Sequence, residues 1–377
     1  MIIFIFIINF MSFKKKMGCA STNSVDTRDE NTIKDRPKDK IVDKTVPENI
    51  KSFLKEKNQE FVKLELSGGH SVFGESFIMD AKSLSNNSSI RYMYRIFKPI
   101  GDFEWECYIS KEMGEMGVAP KIVFEDHETK FWLQQFIENS TNLKPLEYPR
   151  ESLKQIGAYL QKFHNFSPKM KAPDSYQFFG KVKANALRII DKFPILSRFK
   201  KTIEGVDQIL KIFEKNSEKC LCHNDFGYGA NTLWDKKRAW LIDFEFSGMF
   251  YKYFDIGALI SLLIMTEEDR ELFLEGYYGG KRSEKEEALI YMGEIYGLYK
   301  YSMFGINLIR EIPKDVDDKF FDNILEWNQR RTGKAKLEQG ESETPRGIIK
   351  VAYMRLKQAE LNMQTEKYKN AMKILGV

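Results

Sequence analysis

Two short acidic motifs, close together in the second half of the chain, constrain this sequence more than any other feature. The first is His223-Asn224-Asp225-Phe226-Gly227-Tyr228-Gly229-Ala230-Asn231; after a hairpin's length comes Leu241-Ile242-Asp243-Phe244-Glu245. Both lie in a β-rich island, residues 220–246, which puts each acidic residue where a strand meets a loop. Asp225 would accept the proton of a hydroxyl, while Asn231 and Asp243 would hold Mg²⁺ ions that bridge the phosphates of a nucleotide. Phosphoryl transfer needs little covalent help, so positioned charges of this kind supply most of its catalysis.

The segments around the island match that chemistry. Residues 61–66, 72–79 and 90–97 read as strands, the first two joined by Ser67-Gly68-Gly69-His70-Ser71. Residues 102–116 have helical spacing, with Gly117 at the exit and Pro120 beyond it. Strands at 121–124 and 131–137 complete a unit of five strands and one helix. After Ser140 the pattern turns helical: residues 151–163 carry an apolar stripe of Leu153, Ile156, Leu160 and Phe163. Helices are also expected at 184–191, at 202–215 and as one long C-terminal element over 347–374. No internal repeat is present.

Composition narrows the function classes. Lys plus Arg is 59 against 54 for Asp plus Glu, a formal charge of +5 in mixed order. A nucleic-acid binder needs a concentrated basic face, so none is expected here. Four cysteines in 377 residues, two of them in the C-x-C of Cys220 and Cys222, make no disulfide framework and suit a reducing, cytoplasmic setting. The apolar run 1–11 falls short of the roughly 20 residues of a membrane span, and its lysines follow it where a secretory signal would put them first. Residues 23–49 are dense in Asp, Lys, Thr and Pro and read as a tether that buries too little apolar surface to offset its ordering entropy.

Taken in order, these motifs resemble the protein-kinase-like superfamily, specifically the choline/ethanolamine kinases and aminoglycoside phosphotransferases, over about residues 60–310. In those families H-N-D or H-G-D heads the catalytic loop, and D-F-E or D-x-E stands where protein kinases have D-F-G. The resemblance implies an α+β, bilobal fold: a five-stranded antiparallel sheet with one helix, then a mainly helical lobe with a small β island. The domains would be a tether at 1–50, a nucleotide-binding lobe at 51–140, and a lobe at 141–377 with the catalytic loop and substrate pocket. Ser67, Gly68 and Gly69 look like the start of the family's S-G-G-x-S loop, whose backbone N–H groups approach phosphates because glycine has no Cβ. Arg95 is similar to the strand-three Arg that would pair with α- or β-phosphate oxygens of ATP. Glu106 falls where the family's helix Glu would orient that Arg, with Glu104 the competing assignment. Gln135-Phe136-Ile137 resembles the hinge whose backbone, at Gln135 and Ile137, grips adenine. His223 and Asp255 resemble structural braces of the catalytic loop. Glu245 is either a supporting partner for Mg²⁺ or a substrate contact. His164 matches a family His, with a structural role expected.

Twelve positions separate Asp243 from Asp255. A protein kinase places an activation loop and an A-P-E anchor between the corresponding points. Neither fits here, so the acceptor is expected to be a small molecule, an amino alcohol such as choline or ethanolamine. A quaternary ammonium would need aromatic faces and carboxylates, and Tyr277, Tyr278, Tyr301, Phe304 and Trp327 are the aromatic candidates. Phe304 sits where the family has a Trp. Two departures from the family pattern stand out. Asn231 follows Asp225 by six positions, where the kinase pattern has five. Either the loop bulges, using Gly227 and Gly229, or the second metal is held poorly. Ala258-Leu259-Ile260-Ser261 replaces the family's N-H-F and acidic-Trp pair. The rivals are an aminoglycoside- or sugar-type kinase and a catalytically impaired scaffold of the same fold. Met17-Gly18-Cys19-Ala20-Ser21-Thr22 matches the N-myristoylation pattern, with Cys19 open to palmitoylation. If translation starts at Met17, peripheral membrane association through Gly18 and Cys19 is expected.

Overall fold

Apolar alternation along the first third of the chain becomes an antiparallel sheet. The structure is a computed structural model that describes residues 46–70, 74–99, 101–226, 231–335, 337, 341 and 344–377. Gly18, Cys19, Gly227 and Gly229 therefore lie outside the described residues. The chain divides into two units. One takes the described residues up to Cys107 together with Lys121–Phe136, and the other takes Tyr108–Pro120 with Ile137–Val377.

In the first unit, helix α1 (Glu48–Glu56) precedes strands β1 (Gln59–His70), β2 (Gly74–Ser83) and β3 (Ser89–Phe97). Helix α2 (Phe103–Glu115) begins here, and β4 (Ile122–Asp126) and β5 (Phe131–Gln135) complete the sheet in the order β1-β2-β3-β5-β4. Every neighbouring pair is antiparallel. Leu64, Phe77, Met79, Tyr94, Phe131 and Leu133 bury one face, and Ile50, Phe53 and Leu54 of α1 pack into the same cluster. Helix α1 was hidden in the sequence by the polar tract before it, which had suggested a tether as far as residue 49.

The Ser67-Gly68-Gly69 segment also departs from expectation, lying within β1 and not in the link to β2. Leu66 pairs with Phe77, yet the next pair is His70 with Glu75, so the register shifts across these residues. Glycine suits such a bulge because it leaves the backbone free where the ladder is interrupted. Helix α2 starts with Asp102, whose carboxylate accepts the Trp105 N–H at 3.1 Å. It exits through Gly117 at φ +70°, a left-handed exit that glycine takes without steric cost.

The second unit is mainly helical. A short strand, β6 (Thr141–Asn142), precedes α3 (Leu153–His164), α4 (Ser175–Lys192), α5 (Lys200–Gly205) and α6 (Asp207–Asn216). The island follows as β7 (Cys220–Cys222), β8 (Thr232–Trp234), β9 (Ala239–Leu241) and β10 (Gly248–Phe250), with β10 pairing β7 and β6-β8-β9 forming a second small sheet. Then come α7 (Lys252–Leu263), α8 (Glu267–Tyr278), α9 (Glu284–Asn307), α10 (Asp318–Asp322), α11 (Pro345–Met363) and α12 (Glu366–Ile374).

Helix α9 is the spine of this unit, buried on nearly every side from Ala288 to Asn307 and started by a Ser283–Glu286 capping box. Gly257 of α7 and Gly293 of α9 meet where the helix backbones touch, and a Cβ on Gly293 would collide with the Tyr253 carbonyl. The long C-terminal helix expected from the sequence is two helices. Thr365 caps the second by accepting the Tyr368 N–H at 3.1 Å, and a capping hydroxyl that serves a new first turn interrupts the old one. Among the described residues no helix is long and apolar enough to cross a membrane. Cys107, Cys220 and Cys222 are free thiols.

Candidate active site

In the first unit, β3 and α2 bring a cation and an anion together. Arg95 Nη2 lies 3.0 Å from Glu106 Oε1, and both side chains are buried. The guanidinium carbon also sits 5.1 Å from the Phe97 ring centroid and 5.9 Å from that of Trp132. A planar guanidinium held in this way presents its remaining donors in a fixed direction. The structure also decides between the two helix glutamates: Glu104 is exposed and bonds His127 Nδ1 at 2.8 Å, so Glu106 is the one that meets Arg95. Gln135 ends β5, and its N–H is already committed to the Lys121 carbonyl at 2.8 Å. Ile137 is buried and falls in the second unit.

In the second unit, three side chains clamp the loop that follows β7. Asp255, on the first turn of α7 and fully buried, accepts the His223 N–H at 2.6 Å and the Asn224 N–H at 2.9 Å. His164 Nε2 adds a third contact to the same carboxylate at 3.1 Å, and its Nδ1 reaches the Tyr277 hydroxyl at 2.7 Å. His223 Nε2 donates to the Ile242 carbonyl at 2.9 Å, and burial lowers its pKa, so the ring is a neutral tie between the two acidic motifs. His164 and Asp255 are thus engaged inside the fold, while His223 is buried with Nε2 bonded and Nδ1 without a hydrogen-bond partner.

Asn224 adds a fourth clamp, one that was not anticipated. It adopts a left-handed φ of 64°, a region that Asn tolerates better than most residues. Its side-chain amide donates to Ser175 Oγ at 2.9 Å, Cys222 O at 3.2 Å, Phe246 O at 3.2 Å and Gly248 O at 3.3 Å. The turn after Asp243 is thereby tied to the residue before Asp225.

Asp225 is half-buried at the end of this clamped segment. Asn231, at the start of the next strand, donates its amide to the Asp225 carbonyl at 2.7 Å and to its carboxylate at 2.9 Å. The six-residue spacing therefore still delivers Asn231 to Asp225. Asp243 sits at φ 65° at the head of a 3₁₀ turn, Phe244–Phe246, that carries the half-buried Glu245. Like Asn, Asp tolerates the left-handed region because its side chain is short and polar. Asn231, Asp243 and Glu245 offer oxygen donors only, the chemistry that suits Mg²⁺.

The aromatic candidates separate into different environments. Trp327 is fully buried, its indole N–H donates to the Ser261 carbonyl at 3.1 Å, and Arg330 and Arg355 each lie 4.6 Å from its ring centroid. It is a core residue and cannot wall a substrate pocket. Tyr277 is committed to His164. Tyr301 is buried and Phe304 half-buried, and both face Lys300, a residue that the sequence reading passed over. Lys300 is buried in α9, donates from Nζ to the Asn224 carbonyl, and lies 3.9, 4.1, 4.9 and 5.3 Å from the ring centroids of Phe179, Phe254, Tyr301 and Phe304. Burial pulls its pKa down to about 7 against the opposing pull of the Asp225 and Asp255 carboxylates. A signal was available: Lys300 is the only charged residue between Glu294 and Arg310, and a lone charge inside an apolar helix needs a partner.

An antiparallel five-stranded sheet with a strand Arg paired to a helix Glu, and a helical unit with a braced Asp loop and a D-F-E turn, define a small-molecule kinase of the protein-kinase-like fold. The choline/ethanolamine kinase family model matches residues 74–271, just over half of the chain. The chain belongs to the choline/ethanolamine kinase family. It is 24% identical over 209 residues to protein LicA of Haemophilus influenzae, covering 52% of this chain and 74% of that protein. Among solved structures it is similar to a choline/ethanolamine kinase family protein from Mesorhizobium loti, at TM-score 0.59 and 15% identity over 83% of this chain and 92% of the other. The choline kinase LicA from Streptococcus pneumoniae matches at TM-score 0.52 and 17% identity, covering 87% and 98% of the two chains. At these identities the structural likeness speaks for the fold.

Proposed function

We propose that this kinase uses MgATP to phosphorylate the hydroxyl of a small amino alcohol, with choline and ethanolamine as the first candidates. The observation that carries the reading is the braced Asp225 loop with Asn231 on the Asp225 carboxylate and Asp243 on the adjoining turn, in a member of this family. In the proposed step the acceptor hydroxyl gives its proton to Asp225. Its oxygen bonds to the γ-phosphorus as the bond to the bridging oxygen breaks, and ADP leaves with that electron pair. Asn231, through its amide oxygen, and Asp243 would hold Mg²⁺. When bound, the ion neutralises charge on the phosphates. Arg95, oriented by Glu106, would pair with phosphate oxygens of the nucleotide.

The test is ADP release from MgATP across a panel of amino alcohols, sugars and aminoglycosides, with and without EDTA. Release that needs both the metal and an amino alcohol is expected. Release driven by sugars or aminoglycosides alone, or by no acceptor at all, overturns the reading. Asp243→Asn removes a charge from the proposed Mg²⁺ site and is expected to weaken MgATP binding by about tenfold or more. Equal affinity of variant and wild type in calorimetry would remove Asp243 from that role.

We also propose that a chain started at Met17 is acylated at Gly18 and Cys19. One myristoyl chain binds membranes only marginally, about 10⁴ M⁻¹, so the Cys19 acyl group would be needed for stable anchoring. Mass spectrometry of the native N-terminus should find a myristoylated Gly18. An intact Met1 or an unmodified Gly18 excludes the anchor.

A further inference from the structure

Beside the Asp225 loop stands a set of aromatic rings of the kind that attracts a cation, and a cation of the chain itself already lies among them. Phe179 of α4, Phe254 of α7, and Tyr301 and Phe304 of α9 place their ring centroids 3.9–5.3 Å from Lys300 Nζ, within the range of cation–π attraction. The same nitrogen donates to the carbonyl of Asn224, the residue preceding Asp225. Lys300 has two attachments here, and a quaternary ammonium, which has no N–H, could make only the ring contacts.

The outer rings lead to the same conclusion. Phe178, Phe246 and Phe304 form a half-buried wall, with centroid separations of 5.5 Å for Phe178–Phe246, 6.1 Å for Phe178–Phe304 and 6.2 Å for Phe246–Phe304. Phe246 belongs to the turn that carries Glu245, so this wall adjoins both motifs. Phe304 is shared: it contributes to the wall and also contacts Lys300. A second cation bound against the wall through Phe304 would share that ring with the charge of Lys300, and like charges this close repel.

We propose that Lys300 is a built-in cation that sets acceptor specificity, turning the site away from quaternary ammonium alcohols and toward hydroxyl compounds that bear a primary amine. A primary ammonium can donate hydrogen bonds and so depends less on ring faces. A trimethylammonium group, with no N–H to donate, depends on them more. The inference rests on the amino-alcohol reading above and sharpens it.

The experiment uses the full chain and two variants. Lys300→Gln keeps a donor for the Asn224 carbonyl and removes the charge, whereas Lys300→Met removes both. The values of kcat and KM for ethanolamine and choline are measured for each protein at pH 6, below the value of about 7 to which burial lowers Lys300, so that its ammonium carries its charge. Binding of tetramethylammonium is followed by saturation-transfer NMR. Wild type should favour ethanolamine in kcat/KM, and Lys300→Gln should move the ratio toward choline by about tenfold, through the KM for choline. Tetramethylammonium should bind the variant and not the wild type. A purely structural role predicts instead that both acceptors lose kcat together with the ratio unchanged, and that outcome overturns the inference. If neither variant folds, the wild type decides: choline turnover equal to or better than ethanolamine turnover overturns it. If wild type phosphorylates neither alcohol, the amino-alcohol reading fails, and tetramethylammonium still tests Lys300, since binding to wild type counts against the inference and binding gained only in Lys300→Gln supports it.

Discussion

Asp225→Ala is expected to lower kcat by at least about a hundredfold, the lower end for loss of a general base, while the protein stays folded. Asp225 is only half-buried, so removing its carboxylate opens no sealed cavity. Asn231, the side chain bonded to that carboxylate, also donates to the Asp225 backbone carbonyl, and this second bond survives the substitution. The His223 and Asn224 N–H groups remain on Asp255, so the loop keeps its braces. Steady-state rates with any accepted alcohol, set beside a melting curve, are the measurement. Near-normal turnover in a folded variant takes Asp225 out of the mechanism.

The reverse pattern is expected for Asp255→Ala, where stability falls first. Its carboxylate is fully buried and receives His223 N–H, Asn224 N–H and His164 Nε2. Alanine strands all three groups in a site that water does not reach. Unpaired buried polar groups cost about 1–3 kcal/mol each, and breaking a buried charge partnership costs about 3–5 kcal/mol in total. A fall in melting temperature of about 4–6 °C is expected for a chain of this size. Asp255→Asn, which retains one acceptor oxygen, should fall between the two. Thermal unfolding followed by circular dichroism measures the series, and an Asp255→Ala protein that melts with wild type would show that the brace carries no stability.

These two aspartates also show what a sequence can convey. Asp225, Asp243 and Asp255 could be placed at a strand end, a turn and a helix start because each sits in a short contiguous motif. Glu106 was separable from Glu104 only in three dimensions, since both lie in the same turn of α2 and only the packing of that helix on β3 chooses which one meets Arg95. Trp327 read as a candidate pocket wall because an aromatic residue in a helical region has the same letter whether it faces a ligand or two arginines. The break before Thr365 was hidden because α11 and α12 have similar composition, and the capping hydroxyl that separates them is an ordinary threonine in sequence.

Local rules settled many of the elements of this protein. Alternation wrote the five strands of the sheet, Gly117 ended α2 because a left-handed exit favours glycine, and the short reach from Asp243 to Asp255 excluded an activation loop. The conformation of Asn224 and the surroundings of Lys300 could be decided only by tertiary structure. Asn224 is held in its left-handed turn by partners 2 to 49 residues away, and Lys300 is surrounded by rings from three helices. Hydrogen bonds and cation–π contacts act over a few ångströms of space whatever the distance along the chain, so residues this far apart acquire a shared chemistry only once the helices have packed.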